Sequence, residues 1–455
     1  MRFVPHTETE IAKMLEALSV ERIDDLIAHV PEKLRTSASI GLDPGKSEAE
    51  LVAELSSLAS KSASSHGFVS FLGGGCYRHY VPAAVRAITA RSEFATSYTP
   101  YQPEASQGTT QAIFEFQTLI TQLTGLEVAN ASMYDGASAA AEAVLMARRV
   151  LPKRVVVALS RALWPDYRST IRTYLSAQTP LELVEVPFDS ASGTTDLEAL
   201  EALADDHLLC TVTGYPNGFG AIEPLARIAE ITHRAGGLAI SATAEGLALG
   251  LLKAPGAIGA DIATGEGQSF GIAPHFGGPG VGFMAARMAQ VRQMPGRLVG
   301  QTVDAQGRRA FCLTLATREQ HIRRERATSN ICTNHSLNAL AVTAYLSLMG
   351  RRGLRELASR NVELAHQAAD MLATAGIQQR FKAPFFNEFV VSVPDVSAAL
   401  AAAERHKVLP GIALARDYPE LGDGLLISVT ETNNFDDFEL LRHALGEGRG
   451  ERGQH

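Results

Sequence analysis

A polar and aromatic loop, residues 97–108, carries the densest group of side chains suited to binding a ligand. Two prolines restrict its backbone, and two tyrosines, two amides and a carboxylate lie close together in it. That is more hydrogen-bonding capacity than a turn requires, and loops held on rigid scaffolds commonly carry binding residues. The sequence therefore predicts a functional role for this loop, through Tyr98, Tyr101, Gln102 and Glu104.

A second candidate is the turn at residues 130–140, which is expected to lead into a helix. Free N–H groups at a helix start bind anionic groups such as phosphate. Asp135 stands at this start, however, and its carboxylate could cap the same N–H groups and repel a phosphate dianion. The capped helix is the favoured interpretation and the phosphate cradle is the alternative. The cradle would consist of Tyr134, Gly136, Ala137 and Ser138.

Two further segments are rich in basic or glycine residues. Residues 318–333 hold four arginines and a histidine within nine positions, which suits either a solvated helix neutralised by its glutamates or a clamp for carboxylates. Spacing leaves both interpretations open. Residues 71–80 are glycine-rich, and a packed or hydrogen-bonded imidazole is favoured there over a catalytic one. The supporting candidates in these segments are His79, Arg318, His321 and Arg323.

Composition excludes several classes of protein. The chain has 455 residues, 46% hydrophobic and 20% charged, with a formal charge of -8. This balance is typical of globular proteins and argues against a nucleic-acid partner, which requires a concentrated basic face. The four cysteines form no CxxC pair, so neither a metal site nor a disulfide framework is predicted. The start lacks an apolar leader, and no apolar run is long enough for a membrane span. A cytoplasmic location is expected.

Apolar β-branched runs alternate with helical stretches through the middle of the chain. This alternation predicts an α/β domain with a mainly parallel sheet covered by helices on both faces. Its expected strands are 154–158, 181–186, 209–213, 238–241 and 281–284, with helices 196–204 and 224–235. A small α+β domain follows, with helices 354–375, 396–406 and 435–445 and strands 388–393 and 425–429. The predicted division is a helical arm (1–69), a large domain (70–334), a small domain (335–446) and a disordered tail (447–455).

Several segments, taken in order, closely resemble the alpha subunit (subunit 1) of two-subunit bacterial glycine decarboxylase, the P protein of the glycine cleavage system. The resemblance runs over nearly the whole chain. It rests on residues 71–82, 96–108, 114–143, 214–224, 259–271, 318–333 and 385–391. It implies the fold of the aspartate-aminotransferase type (fold type I of the pyridoxal-phosphate enzymes) and an α2β2 assembly with a beta subunit. The implied substrate is glycine, and the implied acceptor is the lipoyl group of the H protein.

One feature sets this chain apart from a self-sufficient pyridoxal-phosphate enzyme. Such an enzyme holds its cofactor on a lysine at the end of a strand, but here no lysine occurs between Lys253 and Lys382. Where the family's catalytic half has Asn-Leu-His-Lys-Thr, this chain has residues 266–270, so Gln268 or Ser269 stands at the expected lysine position. The resemblance thus implies pyridoxal phosphate held covalently by the beta subunit and not by this chain.

The expected role is that of a non-catalytic half that completes the partner's active site, with the loop at residues 97–108 reaching across the interface. Where an aspartate for the pyridine nitrogen would be sought, the chain offers Glu245 or nothing. Two alternatives remain. The first is a self-sufficient enzyme that uses Lys253, although Lys253 precedes a proline and does not end a strand. The second is a scaffold subunit without any contribution to catalysis.

Overall fold

A computed structural model of the chain describes residues 6–38, 41–62, 67–177, 180–275, 277–318, 320–331 and 333–450, the side chains as far as residue 447. The chain divides into two compact units between residues 64 and 65. None of the described helices is long and apolar enough to cross a membrane.

The first unit is helical, as the sequence predicts. Two of its helices begin with capping boxes, in which Thr7 pairs with Glu10 and Ser47 pairs with Glu50. No residue of the four helices is buried, and they expose a series of large apolar side chains. The helices are α1 (Glu8–Ala17), α2 (Ile23–Leu26), α3 (Glu32–Ser37) and α4 (Glu48–Ala59).

A seven-stranded sheet forms the centre of the second unit, in the order β2-β8-β7-β6-β5-β3-β4. Strands β3 to β7 run parallel, whereas β8 is antiparallel to both of its neighbours, so the predicted mainly parallel sheet is confirmed. The strands are β1 (Val69–Ser70), β2 (Val128–Ala129), β3 (Val156–Ser160), β4 (Glu182–Val186), β5 (Leu208–Gly214), β6 (Leu238–Thr243), β7 (Ile262–Glu266) and β8 (Gly282–Ala286). A separate antiparallel hairpin consists of β9 (Leu298–Val303) and β10 (Arg309–Thr314).

Helices cover both faces of this sheet, because side chains alternate along each buried strand. In β7, Ile262 joins the apolar cluster on the α8 side, and Ala263 joins the cluster on the α7 side. The helices of this region are α5 (Ala83–Thr89), α6 (Ser92–Ala95), α7 (Gln107–Thr124), α8 (Gly136–Val150), α9 (Pro165–Leu175), α10 (Leu197–Ala202), α11 (Leu225–Arg234) and α12 (Gln320–Arg323).

A long helix connects the large core to the C-terminal region. Helix α13 (Ser336–Thr374) begins 18 residues before the predicted start at Leu354, and it contains one non-helical residue, Gly350 (φ 59°, ψ 177°). This interruption breaks the apolar periodicity, which is why the sequence indicated only the second half. Side chains on both sides of the break, such as Tyr345 and Ala358, pack in the large core, and side chains from Leu364 onward pack in the small one.

The small core lies on an antiparallel sheet of order β11-β14-β13, while β12 pairs with β1. Its elements are β11 (Glu388–Ser392), α14 (Val396–Arg405), β12 (Val408–Leu409), β13 (Ile412–Ala413), β14 (Gly424–Ser428) and α15 (Phe435–Gly450). The last helix continues to Gly450, beyond its predicted end at residue 445 and into the predicted tail. Residues 451–455 of that tail lie outside the described part of the chain.

Candidate functional site

A cleft opens where β7 ends, β8 begins and helix α8 starts. Open sheets of this kind bind ligands outside the carboxyl ends of their strands, so the location suits a site. The glycines at both ends of the cleft allow the backbone to come close to whatever fills it. Its walls include Gly74, Cys76, Tyr134, Asp135, Gly136, Ala137, Asp166, Tyr167, Glu266, Gln268, His275, Pro279 and His335.

Gln268, one of the two residues at the expected lysine position, is buried, and its side-chain amide bonds to backbone groups. Its Oε1 accepts a hydrogen bond from the Tyr77 N–H at 2.8 Å. Its Nε2 donates to the carbonyl oxygens of Tyr77 at 2.9 Å and Ile272 at 2.6 Å. The neighbouring Ser269 is fully buried, and among the described residues its hydroxyl has no hydrogen-bond partner. The amide of Gln268 therefore fastens one wall of the cleft to the segment that contains Tyr77.

The turn before helix α8 is capped as the sequence favours. Asp135 Oδ1 accepts from the Ser138 N–H at 2.7 Å, and the Ser138 hydroxyl oxygen accepts from the Asp135 N–H at 3.2 Å. A second carboxylate takes the first N–H of the helix, since Glu266 Oε2 accepts from Gly136 at 3.1 Å. Burial raises the pKa of Glu266 to about 7, against the effect of its backbone hydrogen bonds. Two acids thus occupy the helix start where a phosphate cradle was the alternative.

Tyr134, the aromatic member of the proposed cradle, lines the same cleft and faces His335 with a centroid separation of 5.9 Å. Gly136 begins α8, and Ala137 and Ser138 follow it in the first turn. The structure therefore brings together the four residues that the sequence grouped.

His79 lies between two carboxylates in the interior next to this cleft. Its Nε2 is 2.9 Å from Glu245 Oε2, and its Nδ1 is 2.8 Å from Glu431 Oε2. Burial by itself lowers the pKa of His79, but the two carboxylates outweigh it and raise the pKa to about 10. The imidazole is thus a buried cation, in agreement with the hydrogen-bonded role that the sequence favoured. Glu245 also accepts from Asn387 at 3.2 Å, so it is engaged within the chain.

A further buried acid joins the small domain to the glycine-rich segment at residues 71–80. Glu388 Oε2 accepts from the Tyr77 hydroxyl at 2.7 Å, and Oε1 accepts from the Gly74 N–H at 2.6 Å. Burial raises the pKa of Glu388 to about 7. A Cβ on Gly73 would lie 2.2 Å from Glu388 Oε1, so this position requires glycine.

The loop at residues 97–108 lies on the surface, and none of its described side chains is among those that line the cleft. Tyr98 and Tyr101 are 72% and 57% exposed, and Gln102 and Glu104 are also exposed. The loop is nevertheless held in place. Pro100 is buried, and Gln107 at its end bonds to both backbone groups of Phe311 at 2.9 Å. The Arg297 guanidinium lies 5.4 Å from the centre of the Tyr101 ring.

The arginine-rich segment has mainly structural contacts. Arg318 donates to the carbonyl oxygens of Leu315 at 3.1 Å and Gly296 at 3.0 Å, and also to that of Met294. Arg323 donates to the Thr317 carbonyl at 3.2 Å. His321 is exposed on the short helix α12. The three candidates therefore do not line the cleft, and Arg318 holds a turn.

Lys253, the nucleophile of the rival interpretation, is an exposed residue that follows a short 3-10 helix. It is not among the residues that line the cleft, and no other lysine of the described chain is among them either. The structure thus offers no amine in the described cleft.

Sequence reasoning missed most of the acids and phenols of this region. Glu266, Glu388, Glu431 and Tyr77 were not singled out, because most of their hydrogen-bond partners are far away in sequence. Tyr167 was not singled out either, and its hydroxyl has no hydrogen-bond partner among the described residues. A usable signal was present for two of them. Glu266 and Glu388 are charged residues within otherwise apolar or small-residue strands, and such residues are seldom buried unless paired.

The comparisons with known proteins agree on the family. Residues 1–445 match the family described as Glycine cleavage system P-protein. A probable glycine dehydrogenase (decarboxylating) subunit 1 of Geobacillus kaustophilus is 49% identical over 451 residues, covering 98% of this chain and 99% of that protein. A protein of the same name from Anaeromyxobacter sp. (strain Fw109-5) is 50% identical over 448 residues, covering 98% and 100%.

Solved structures are similar to this chain in fold, and one of them is also similar in sequence. A crystal structure of glycine decarboxylase (P-protein) of the glycine cleavage system, in inhibitor-bound form, superposes with a TM-score of 0.91 at 43% identity and covers 98% of this chain and 100% of that one. A sphingosine-1-phosphate lyase of Burkholderia pseudomallei, 16% identical over 90% of this chain and 92% of its own, has a TM-score of 0.65 and shares the fold. The predicted fold type I of the pyridoxal-phosphate enzymes is confirmed. The chain belongs to the glycine cleavage system P-protein family.

Proposed function

We propose that this chain is the alpha subunit (subunit 1) of a heteromeric glycine decarboxylase, and that it completes the active site of a beta subunit. The complex would remove carbon dioxide from glycine and transfer the aminomethyl group to the lipoyl group of an H protein. The relatives named subunit 1 support this proposal, because each aligns with this chain over nearly its whole length. A cytoplasmic location and an α2β2 arrangement are parts of the same proposal.

The proposal rests on the residues that line this chain's own cleft. Pyridoxal phosphate requires an amine for its aldehyde and a positively polarised pocket for its phosphate. At the amine's position the chain has Gln268, which lines the described cleft, and Ser269, which is fully buried, and the Glu266 carboxylate occupies the start of α8. These residues do not fit the cofactor. We therefore assign the covalently held pyridoxal phosphate to the beta subunit.

The contribution in trans is assigned to the loop at residues 97–108. Its exposed tyrosines are large and stiff, and they can donate a hydrogen bond at little cost in conformational entropy. The buried Pro100 and the Gln107 contacts fix the loop before any partner binds. This favours binding, because the loop then loses less conformational freedom on association. Gln102 and Glu104 extend the same exposed surface.

Reconstitution tests this function. The chain should copurify with a candidate beta subunit, and only the mixture should release carbon dioxide from glycine in the presence of lipoylated H protein. Borohydride reduction of the mixture followed by peptide mass spectrometry should place the pyridoxyl label on a beta-subunit lysine. A stoichiometric label on Lys253 would overturn the proposal in favour of a self-sufficient enzyme. A mixture that assembles but gains no activity from this chain would favour the scaffold.

A further inference from the structure

Glu266 ends strand β7 with a buried carboxylate that receives several backbone N–H groups at once. Its Oε2 accepts from Gly136 at 3.1 Å, and its Oε1 accepts from Val281 at 2.7 Å and from Gln268 at 3.1 Å. Gly136 is the first residue of the 15-residue helix α8, whose N-terminus carries partial positive charge. Converging N–H groups at such a helix start are the usual architecture of a site for an anion.

The surrounding backbone is shaped to this carboxylate. A Cβ on Gly280 would lie 2.7 Å from Glu266 Oε1, so glycine is needed there to leave room for the acid. A Cβ on Gly136 would lie 1.9 Å from the Tyr167 hydroxyl oxygen, which places that phenol directly against the first residue of the helix. The site therefore has glycines on two sides and a phenol over the helix start.

Tyr167 supplies a second sign that the pocket is built for a polar occupant. Its side chain is 3% exposed and lines the cleft, yet its hydroxyl has no hydrogen-bond partner among the described residues. A buried hydroxyl without a partner is costly, and an anion on the helix start could accept a hydrogen bond from it. The start of α8 therefore has a hydrogen-bond donor, the Tyr167 hydroxyl, that Glu266 does not use.

We propose that the start of helix α8 is an anion site for a phosphate monoester, and that Glu266 fills it as an internal ligand that excludes such molecules. The carboxylate takes the backbone donors that a phosphate would need, and its charge opposes a second anion in the same space. This inference concerns the chain by itself, and it holds whether or not the chain assembles with a partner. It assigns the exclusion to Glu266, acting beside the Asp135 carboxylate that caps the Ser138 N–H of the same helix start.

Replacing Glu266 with a shorter residue should therefore make these backbone donors available to phosphate. In equilibrium dialysis of the complete chain with radiolabelled inorganic phosphate, Glu266→Ser should bind phosphate at least about tenfold more tightly than the wild type, a ratio within the range for charge at a helix start. Glu388→Gln is the matched control. Glu388 is a buried acid whose pKa is likewise raised to about 7, but its hydrogen bonds go to Gly74 and Tyr77 and not to α8. It should bind phosphate like the wild type.

Thermal unfolding gives an independent readout. Phosphate should raise the midpoint of Glu266→Ser relative to chloride at equal ionic strength, and it should not do so for the wild type. If Glu266→Ser unfolds on its own, phosphate should restore its folding. The proposal is overturned if a folded Glu266→Ser binds phosphate no better than the wild type, or if an unfolded one is not rescued. Equal binding by Glu388→Gln and Glu266→Ser would also overturn it.

Discussion

The side-chain amide of Gln268 bonds to the backbone of Tyr77 in both directions, accepting from its N–H at 2.8 Å and donating to its carbonyl at 2.9 Å. Gln268, one of the two residues at the expected lysine position, therefore connects two segments that lie 191 positions apart. A side-chain amide offers both a donor and an acceptor in one planar group, which suits this pairing.

A lysine in place of Gln268 should destabilise the chain and should not create an enzyme. Gln268→Lys removes the acceptor for the Tyr77 N–H and buries a charge, so we expect a loss of unfolding free energy of about 1 to 3 kcal/mol or more. Urea unfolding measures this loss. Ser269→Ala, which removes a buried hydroxyl without a partner among the described residues, is the control and should be nearly neutral. Unchanged stability of Gln268→Lys would contradict the fastening role.

The buried cation at His79 makes stability depend on pH in a defined window. Its pKa in the folded chain is about 10 and its ordinary value is 6.5, so the folded state holds the proton more tightly. Its contribution is complete below pH 6.5 and is lost as the pH rises through 10. His79→Gln should cost about 3 to 5 kcal/mol at pH 6, because it leaves two buried carboxylates without their cation.

Urea unfolding at pH 6, 8 and 10 tests this expectation. The difference in unfolding free energy between wild type and His79→Gln should shrink toward pH 10, since the wild type loses its advantage there. Both proteins contain the other buried acids, among them Glu266 and Glu388, so the contributions of these acids to the unfolding free energy cancel in the difference. The exposed His207 provides the control, and His207→Gln should show no such trend. A difference independent of pH would show that His79 is neutral in the folded chain.

The exposed tyrosines should matter to the complex and not to the chain alone. Tyr98→Phe and Tyr101→Phe each remove one hydroxyl from the surface loop, and losing such a contact lowers the affected step by about ten- to a hundredfold. We expect slower glycine decarboxylation with unchanged assembly, measured as release of labelled carbon dioxide. Tyr174→Phe, on helix α9, is the control outside the loop. Wild-type rates from an assembled double variant would leave the scaffold alternative standing.

The N-terminal helices should form part of an interface. On α4, Leu51 and Leu55 lie on one helical face and are 47% and 54% exposed, which is unusual for large apolar residues unless a partner covers them. Changing both to Glu should weaken assembly with the beta subunit by about a hundredfold or more, and deletion of residues 1–60 should abolish it. Sedimentation of the mixture measures this.

The opposite face of α4 supplies the control for that experiment. Ala53→Glu combined with Ser57→Glu adds the same charge to the same helix, and both positions are exposed. This variant should assemble normally. Equal weakening by the two pairs would indicate a general effect of charge, and full-affinity assembly of the truncated chain would give the arm another role.

The parallel strands β3 to β6 were predictable because each is a short apolar run. Residues 209–213 and 238–241 read as strands by composition alone, and β5 and β6 contain them. Strand β7 was not predicted, because Gly265 and Thr264 give it little apolar character although it is fully buried. Its burial results from the neighbours on each side, which a single sequence does not reveal.

The structure places the turn before α8 in the cleft and the loop at residues 97–108 outside it. The turn around Asp135 carries a local signature, and the cap it predicts is present. The pairing of His79 with Glu245 and Glu431 spans 166 and 352 positions, so no spacing pattern indicates it. The folded chain brings these groups together through the sheet order and the attachment of the small domain.

The break in helix α13 has a consequence for motion. Gly350 adopts φ 59° and ψ 177°, a conformation open almost only to glycine, and a Cβ there would meet no atom within 4 Å. Its requirement for glycine is therefore torsional and not steric. The large core packs on both sides of this residue, since Tyr345 before it and Ala358 after it belong to the same apolar cluster. The break is therefore held inside one packed core, so it sets the direction of the helix and is not a joint between the two cores.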